Sequence, residues 1–566
     1  MKYVIEKGGV DFTHLGPALS VDFDAWRLIG GSVLWLNHRW FAEHGINVAD
    51  DDARAEVEHW LLEDYAYLVP APTDPPGIVN RGDPRTFRAD RYGMTNGGWH
   101  GGSGRCGYRG RYNVKGIGPT PLVSLDADEM HSSGMMMLWE ALMETILAEV
   151  AAAELPYGAI RTIAIIDAGF ASIVPGSPTD ERRALLVRPN FVRPGHMERS
   201  IFFGSGSVPN RAQMMDAQRV SGVVQGIFAG SGEPDERFLR TMILRDAHQL
   251  GAAHAHRLWL GIFASSNRTI KGELADFGAL RTVPDWRCHF TVPPERFGRE
   301  LPLLFETVGS LLFHVATYGQ GAPMARHPPI EVADLATAVA DGFRTACTAA
   351  TGCSEAVSAA LYAIFTLEQH EDVPSGSENW QRPWLPEALA SDQSTGSASY
   401  PELAQLIDQE GLRAAGVRSA IRRWLHPRRS LAQSAMAKEL PAFVRSLEES
   451  PAARRGQVER HVRRQLSLTR RHWPERPATL RVKAQACGIG IDVLFGEDEE
   501  RRTHGAWVVV DECGPWSHLA ALPGATTLSS KRVATWLDSN DWEHLKFGTP
   551  SGYLLPDEGD AFSFPD

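Results

Sequence analysis

Apolar residues recur every four positions at Leu138, Leu142, Ile146 and Val150, the spacing of one buried helix face. Ser132 or Ser133 is placed to cap that helix, which should run to about Glu154. Apolar runs at 161–167 and 184–187 predict strands, as does 111–115, which Pro119 and Pro121 bring to a close. Helical periodicity returns at about 211–228 and 234–263. The polar stretch Ser265-Ser266-Asn267-Arg268 interrupts it, and 269–275 predicts a strand that ends in Asp276. Residues 300–370 are again helical, 371–400 have the Ser, Pro, Asp and Glu content of a linker, and arginine-rich helices fill roughly 402–470. Alternation at 479–483, 491–495 and 506–510 predicts strands of a small separate domain. Residues 1–90 mix short helices with connections built on Pro70, Pro72, Pro75 and Pro76. Residues 96–110 hold seven glycines and predict a mobile loop.

A chain of 566 residues is too long for one core, so two or three domains are expected. The pattern divides it into an N-terminal extension (1–95), a β-rich lobe (96–200), a helical lobe (201–370), a linker (371–400), an arginine-rich helical region (401–475) and a small β-containing domain (476–566). Hydrophobic content of 43% and charged content of 22% are ordinary for a soluble globular protein. There is no apolar signal core at Met1–Glu6 and no run of about 18 apolar residues, so a cytoplasmic protein without a membrane partner is expected. Six scattered cysteines without C-x-x-C spacing argue against a zinc site and against a disulfide framework.

The net charge of −12 is uneven, because residues 411–472 carry 15 Lys and Arg against four Glu. The pairs Arg422-Arg423, Arg428-Arg429, Arg454-Arg455 and Arg463-Arg464 fall on helical patterns. Most such faces are solvated; the alternatives are docking to an acidic partner or to the acidic body of the same protein. Nucleic acid is disfavoured, since no aromatic residues are interleaved for base stacking.

The candidate chemistry lies in residues far apart in sequence. Gly102-Ser103-Gly104-Arg105-Cys106-Gly107 fits G-x-G-x-x-G, but the extended stretch after it excludes the dinucleotide-binding reading, which needs a helix there. A loop whose amides cover phosphates between two strands remains, beside the alternative of a plain flexible loop. Lys115 can neutralise phosphate oxygens if a carboxylate holds its ammonium; Glu144 is the best placed, with Glu140 and Glu149 as alternatives. Asn267 and Asp276 of Asp276-Phe277-Gly278 offer hard oxygen ligands of the kind magnesium takes together with phosphates and water. An Asn and a D-F-G Asp hold that metal in kinase-like folds, although D-F-G alone also occurs at ordinary strand ends. Arg193 could add a guanidinium to the phosphates. His254 and His256, at i and i+2 on a helix, do not share a face and suggest no metal site, and H-E-x-x-H and G-x-S-x-G are absent.

Taken in order, these motifs resemble the selenoprotein O (SelO) family, kinase-like proteins that bind ATP in a reversed pose and transfer AMP to protein hydroxyls. Lys115-Gly116-Ile117-Gly118-Pro119-Thr120-Pro121 is similar to that family's K-G-A-G-x-T-P-Y. Gly102 to Cys106 is similar to G-D-G-R-A, Met143 to Glu149 to R-E-F-L-x-S-E, and Pro189 to Gly195 to P-S-x-x-R-x-G. Residues 32–41 are similar to the family's N-terminal V-x-x-N segment, so the likeness spans roughly 30–290. It implies an α+β, protein-kinase-like, two-lobed fold binding ATP and Mg2+. In that fold Gly102, Ser103, Gly104, Arg105, Lys115, Glu144, Arg188 and Arg193 would lie at the nucleotide, and Asn267 and Asp276 at the metal.

The departures concern transfer more than binding. The family's proposed base, an acid just before the metal-binding Asn, is Ser266 here, and serine cannot accept a proton at neutral pH as a carboxylate does. The first phosphate arginine falls at Leu186, with Arg188 near enough to substitute. The D-G pair after the lysine becomes Asp128-Glu129 in a shifted register, and the C-terminal redox cysteine of many members has no counterpart before Asp566. A divergent branch is implied, such as the MchC-like proteins that accompany peptide-modification genes. The expected activity is transfer of AMP or phosphoryl to a protein or peptide hydroxyl, with Asp276 and Ser266 at the catalytic positions. A nucleotide-binding pseudoenzyme and an accessory subunit of peptide modification are the alternatives.

Overall fold

Strand β1 (Ser20–Leu28) runs antiparallel to a strand almost sixty residues later, and on this long-range pairing an eight-stranded sheet is built. The computed structural model describes residues 8–93, 100–124, 127, 132–173, 180–200, 211–261, 263–278, 280–283, 286, 289–291, 294–298, 300–319, 330–370, 385, 400–425, 433–467, 480–486, 489–497, 503–510 and 518–521. In chain order the first elements are β1, β2 (Ser32–Leu36), α1 (His38–Glu43), α2 (Asp51–Tyr65), β3 (Tyr67–Leu68), β4 (Val79–Asp90), β5 (Cys106–Arg109), β6 (Tyr112–Lys115), α3 (Leu138–Glu154), β7 (Ala164–Ser172) and β8 (Glu181–Pro189). The strand order is β2-β7-β8-β6-β5-β4-β1-β3, antiparallel throughout, and the protein is α+β.

The first 95 residues, expected as an extension of short helices, therefore supply half of the sheet's strands. The glycine-rich stretch is also more ordered than expected over its second half: Cys106 to Arg109 pairs with β6, while 94–99 lie outside the described residues. Pro84 cannot donate to the ladder, and the β1–β4 register jumps there from Trp26↔Pro84 to Arg27↔Asn80.

Both faces of the sheet's centre are covered, so β8 reads as a nearly continuous apolar run rather than an alternation. Leu185 and Val187 pack with Phe41, Leu61 and Phe87, whereas Ala184 and Leu186 join the core that contains α3. Helix α3 starts later than expected. Its N-cap is Met137, without a side-chain cap, because Met137 still forms a β-bridge with Arg183 and holds the preceding backbone extended. The helix is buried on every side from Ala141 to Ala151, not only along the expected stripe.

The second half begins with α4 (Arg211–Ser231), α5 (Asp235–His256), α6 (Leu301–Tyr318), α7 (Val332–Thr351) and α8 (Glu355–His370). Helix α5 ends at His256, short of the expected 263. Arg257 adopts the left-handed conformation (φ 57°), and its guanidinium reaches back to the carbonyls of Trp424 and Leu425. Helices α5 and α7 cross at touching distance through paired glycines. A Cβ at Gly251 would lie 1.9 Å from Val339 O, and one at Gly342 2.0 Å from His248 O. By length and composition α6 is apolar enough to cross a membrane, yet its Leu304, Val308, Leu311 and Val315 are buried in the core.

Helices α9 (Pro401–Asp408), α10 (Ala414–Leu425), α11 (Gln433–Arg445) and α12 (Pro451–Ser467) form the arginine-rich region. Four C-terminal strands, β9 (Leu480–Ala486), β10 (Ile489–Glu497), β11 (Thr503–Val510) and β12 (His518–Ala521), make a separate antiparallel sheet. Helices α11 and α12 pack on α3, and α12 also on β2. Arg454 pairs with the fully buried Asp167, Arg455 pairs with Glu58 at 2.7 Å and donates to Val33 O, and Arg445 lies 3.7 Å from Glu181. Of the three readings of the basic region, docking to the protein's own acidic body applies to these arginines; Arg428 and Arg429 lie outside the described residues.

The Arg454–Asp167 pair gives a direct test. Arg454→Ala leaves Asp167 with Arg182 at 3.8 Å as its nearest cation. A stability loss of about 3 kcal/mol in urea denaturation is expected for a broken buried pair. A loss below about 1 kcal/mol would place the pair in the solvated, weakly coupled class instead.

Candidate active site

Lysine 115 ends β6, between β5 and β8, with its ammonium buried. A buried ammonium needs a partner, and Nζ lies 2.5 Å from Glu144 Oε1 on α3 and 3.5 Å from Asp276 Oδ1. The turn after the lysine permits this approach. Gly116 has φ 90°, and a Cβ there would sit 2.6 Å from Met136 Cβ and 2.8 Å from Ala184 O. The three candidate glutamates separate cleanly: Glu144 takes Lys115, Glu140 takes Arg105 at 2.7 Å, and Glu149 takes Arg161 at 2.7 Å and Asn37 at 2.6 Å.

Electrostatics divides the carboxylates. Burial pushes the Glu144 carboxyl above its ordinary value and the nearby Asp276 adds to this, while Lys115 and Arg105 oppose it. Burial acts in the same direction on Asp276, but Lys115, Arg105 and Arg188 outweigh it and hold that carboxyl well below the usual range. Asp276 therefore stays ionised, and 36% of its side chain is exposed.

The stretch 269–275 is not the expected strand. Thr269 N–H donates to Glu273 O and Gly272 N–H to Thr269 O, which closes a tight turn, and only isolated bridges join Leu274 to Arg268 and Ala159. The turn brings the two oxygen ligands together more directly than a strand would. Ala275 N–H donates to Asn267 O at 2.9 Å, so the residue before Asp276 is tied to Asn267. Ser266 Oγ lies 3.1 Å from Asn267 Oδ1 and donates to it, which orients the amide oxygen. Asp276 Oδ1 accepts from Gly278 N–H. One amide oxygen and one ionised carboxylate, both partly exposed on a pinned turn, suit magnesium, which completes its shell with phosphate oxygens and water. Among the described residues there is no group of three or more His, Cys, Asp or Glu that could hold a metal by itself.

The glycine loop is anchored by Asp90, at the end of β4. Ser103 Oγ donates to Asp90 Oδ1 at 2.6 Å and Ser103 N–H to Asp90 O, while Thr120 Oγ1 donates to Ser103 O. Gly102, with φ 147°, passes so close that a Cβ would lie 2.2 Å from Asp90 O. Gly104 O accepts from Thr120 N–H, and Arg105 joins the loop to α3 through Glu140 and, at 3.9 Å, Glu144. His196 Nδ1 accepts from Arg193 N–H, so Nε2 carries the proton and donates to Asp90 Oδ2 at 2.9 Å. Burial raises the Asp90 carboxyl, but His196 and Arg193 more than reverse that.

Both candidate phosphate arginines are nearly buried. Arg188 Nε donates to Asn113 Oδ1 at 3.0 Å and Nη1 to Ala275 O at 2.6 Å. Arg193 Nη1 donates to Ser266 O at 2.6 Å, and its guanidinium stacks between the rings of Tyr92 and Phe191. Beneath the turn, Arg268 Nε lies 2.7 Å from Asp246 on α5, both fully buried.

Lys115, Arg105, Glu144, Asn267 and Asp276 thus converge from four separate stretches, the last two from one turn, with Ser266 beside them. Asp128-Glu129 lies outside the described residues. Asp90, Asn113 and Asp246 escaped the sequence reading; their positions match no spaced motif, although each lies on an element that also carries or adjoins a candidate residue. In comparison with known proteins, no family model matches this chain and no curated protein matches it.

Proposed function

We propose that the protein binds ATP with magnesium on a protein-kinase-like fold and transfers AMP or a phosphoryl group to a protein or peptide hydroxyl, as the resemblance to the SelO family implies. The observation that carries this reading is Lys115 Nζ between Glu144 and Asp276, 2.5 and 3.5 Å away, with Asn267 tied to the same turn. An ammonium shared between a buried carboxylate and a partly exposed one is placed to turn toward incoming phosphate oxygens without leaving Glu144 unpaired. Arg105, a third exposed, adds a second cation at the loop. Magnesium, held by Asn267 and Asp276, would supply neutralisation of the charge that develops on the phosphates.

In AMP transfer the acceptor oxygen bonds to the α-phosphorus as the α–β bridging bond breaks and pyrophosphate leaves. In phosphoryl transfer it bonds to the γ-phosphorus and ADP leaves. Ser266 cannot take the acceptor's proton as a carboxylate would, so the proton passes to water or to a phosphate oxygen of the nucleotide. The residues present would therefore act by holding phosphates and acceptor in line and by neutralising charge, which supplies much of the rate in such transfers.

Incubation with α-labelled and γ-labelled ATP separates the outcomes. Protein label from α-ATP alone means AMP transfer, and label from γ-ATP means kinase action. Ser266 also favours a second reading, a nucleotide-responsive module without transfer; ATP-dependent thermal stabilisation without label from either nucleotide would support it. Ser266→Asp is expected to raise transfer in the first case, by about a hundred-fold if it restores a general base. Unchanged transfer would count against a merely weakened enzyme.

A further inference from the structure

Arg188 and Arg193 do the same thing at two places. Arg193 Nη1 holds the carbonyl of Ser266, the residue before Asn267, and Arg188 Nη1 holds the carbonyl of Ala275, the residue before Asp276, each at 2.6 Å. The carbonyl of a residue fixes the peptide plane that leads into the next, so each arginine sets the direction in which one oxygen ligand leaves the backbone. The Ala275 N–H to Asn267 O bond closes the arrangement. Both guanidinia lie over the Phe191 ring, at 5.1 and 4.5 Å, and Phe191 packs against Ala275 itself. Asn113 accepts a hydrogen bond from Arg188 Nε on the other side, and the Asp90 carboxylate lies 3.6 Å from Arg193 Nε as an ion-pair partner.

The two arginines are 3% and 5% exposed, and Nη1 of each is committed to the backbone carbonyl that precedes a candidate metal ligand. Arg105, a third exposed, and Lys115, beside the partly exposed Asp276, already supply cations at the site. We infer that Arg188 and Arg193 are positioning residues that fix the spacing of Asn267 and Asp276 for a divalent cation, and are not in the first place phosphate ligands. This rests on the proposed function, in which those two residues hold the metal.

The test separates charge from geometry. Arg→Gln keeps a planar N–H donor for the carbonyl and removes the charge, Arg→Lys keeps the charge and loses the fork, and Arg→Met loses both. Mn2+ affinity would be read by electron paramagnetic resonance with a non-hydrolysable ATP analogue, and analogue affinity by calorimetry in EDTA. Melting curves would confirm folding, and if the methionine variants fail to fold, the glutamine and lysine variants carry the test alone. A positioning role predicts that lysine at either site weakens Mn2+ binding by about ten- to a hundred-fold, as for other groups that orient metal ligands. Glutamine should weaken it less than lysine, and metal-free analogue affinity should change less than about three-fold in every variant, since charge neutralisation at the phosphates is then not their task.

The inference is overturned if lysine preserves Mn2+ affinity, or if glutamine lowers metal-free analogue affinity as much as it lowers Mn2+ affinity. Wild-type protein that binds neither Mn2+ nor the analogue sinks the parent reading instead.

Discussion

Lys115→Met is expected to lower transfer from ATP by about a hundred- to a thousand-fold, the range for removing one preorganised group that faces developing charge. The same change should destabilise the protein in a pH-dependent way. Lys115 and Glu144 are 2% and 1% exposed, and removing one partner of such a pair costs about 3–5 kcal/mol because the other is left charged and dry. Burial already raises the Glu144 carboxyl, and without the ammonium it rises further. A carboxyl whose folded value exceeds its unfolded one favours folding fully below the unfolded value, and that contribution is lost as pH climbs through the folded value. The variant should therefore be closest to wild type at acid pH and fall behind toward pH 8. Lys115→Met/Glu144→Gln should recover the stability and remain inactive. Urea denaturation at pH 5 and pH 8 checks this, and a single variant as stable as wild type at pH 8 would show that Glu144 does not depend on the lysine.

Arg268→Met should be the other severe change. Arg268 follows Asn267 directly, donates to Phe263 O and lies against Asp246, whose carboxylate is completely buried in α5. Its loss strands that carboxylate at a cost of about 3–5 kcal/mol and frees the turn that carries Asn267, so metal-dependent activity should fall with stability. Arg268→Met/Asp246→Leu, which removes both charges, should restore stability but not full activity. Burial pushes the Asp246 carboxyl up to about 7 despite Arg268, far above the value in an unfolded chain. The sign is that of Glu144: this group favours folding below about pH 4, and its contribution fades as pH rises toward 7. Asp246→Asn should therefore flatten the stability profile between about pH 4 and 7 by about 3 kcal/mol. A slope unchanged by the substitution would mean that Asp246 is ionised throughout.

The parts of the site that were legible in sequence are those in which chemistry is tied to local spacing. Lys115 sits among turn glycines, Glu144 lies on a helix with a four-residue apolar repeat, and Asn267 and Asp276 flank a short segment; the folded chain brings all four together. What was not legible depends on distance or on competition between hydrogen bonds. Strands β1 and β4 stabilise each other across about fifty intervening residues, so neither is marked by its neighbours. The 269–275 segment has strand-like residues, but the Thr269 hydroxyl accepts from Lys271 and Glu273 amides and diverts the backbone into a turn. A serine cap at Ser132 or Ser133 was reasonable chemistry that the Met137–Arg183 bridge overrode. Asp90 and Asp246 are single acids whose importance comes from burial, which composition does not reveal.

Arg455 donates twice to Val33 O on β2, the outermost strand of the large sheet. A terminal strand otherwise offers bare carbonyls to any passing chain. By covering this rim, α12 guards against self-association through strand addition, and truncation before Pro451 would uncover a template for aggregation at one end of the same sheet that carries Lys115.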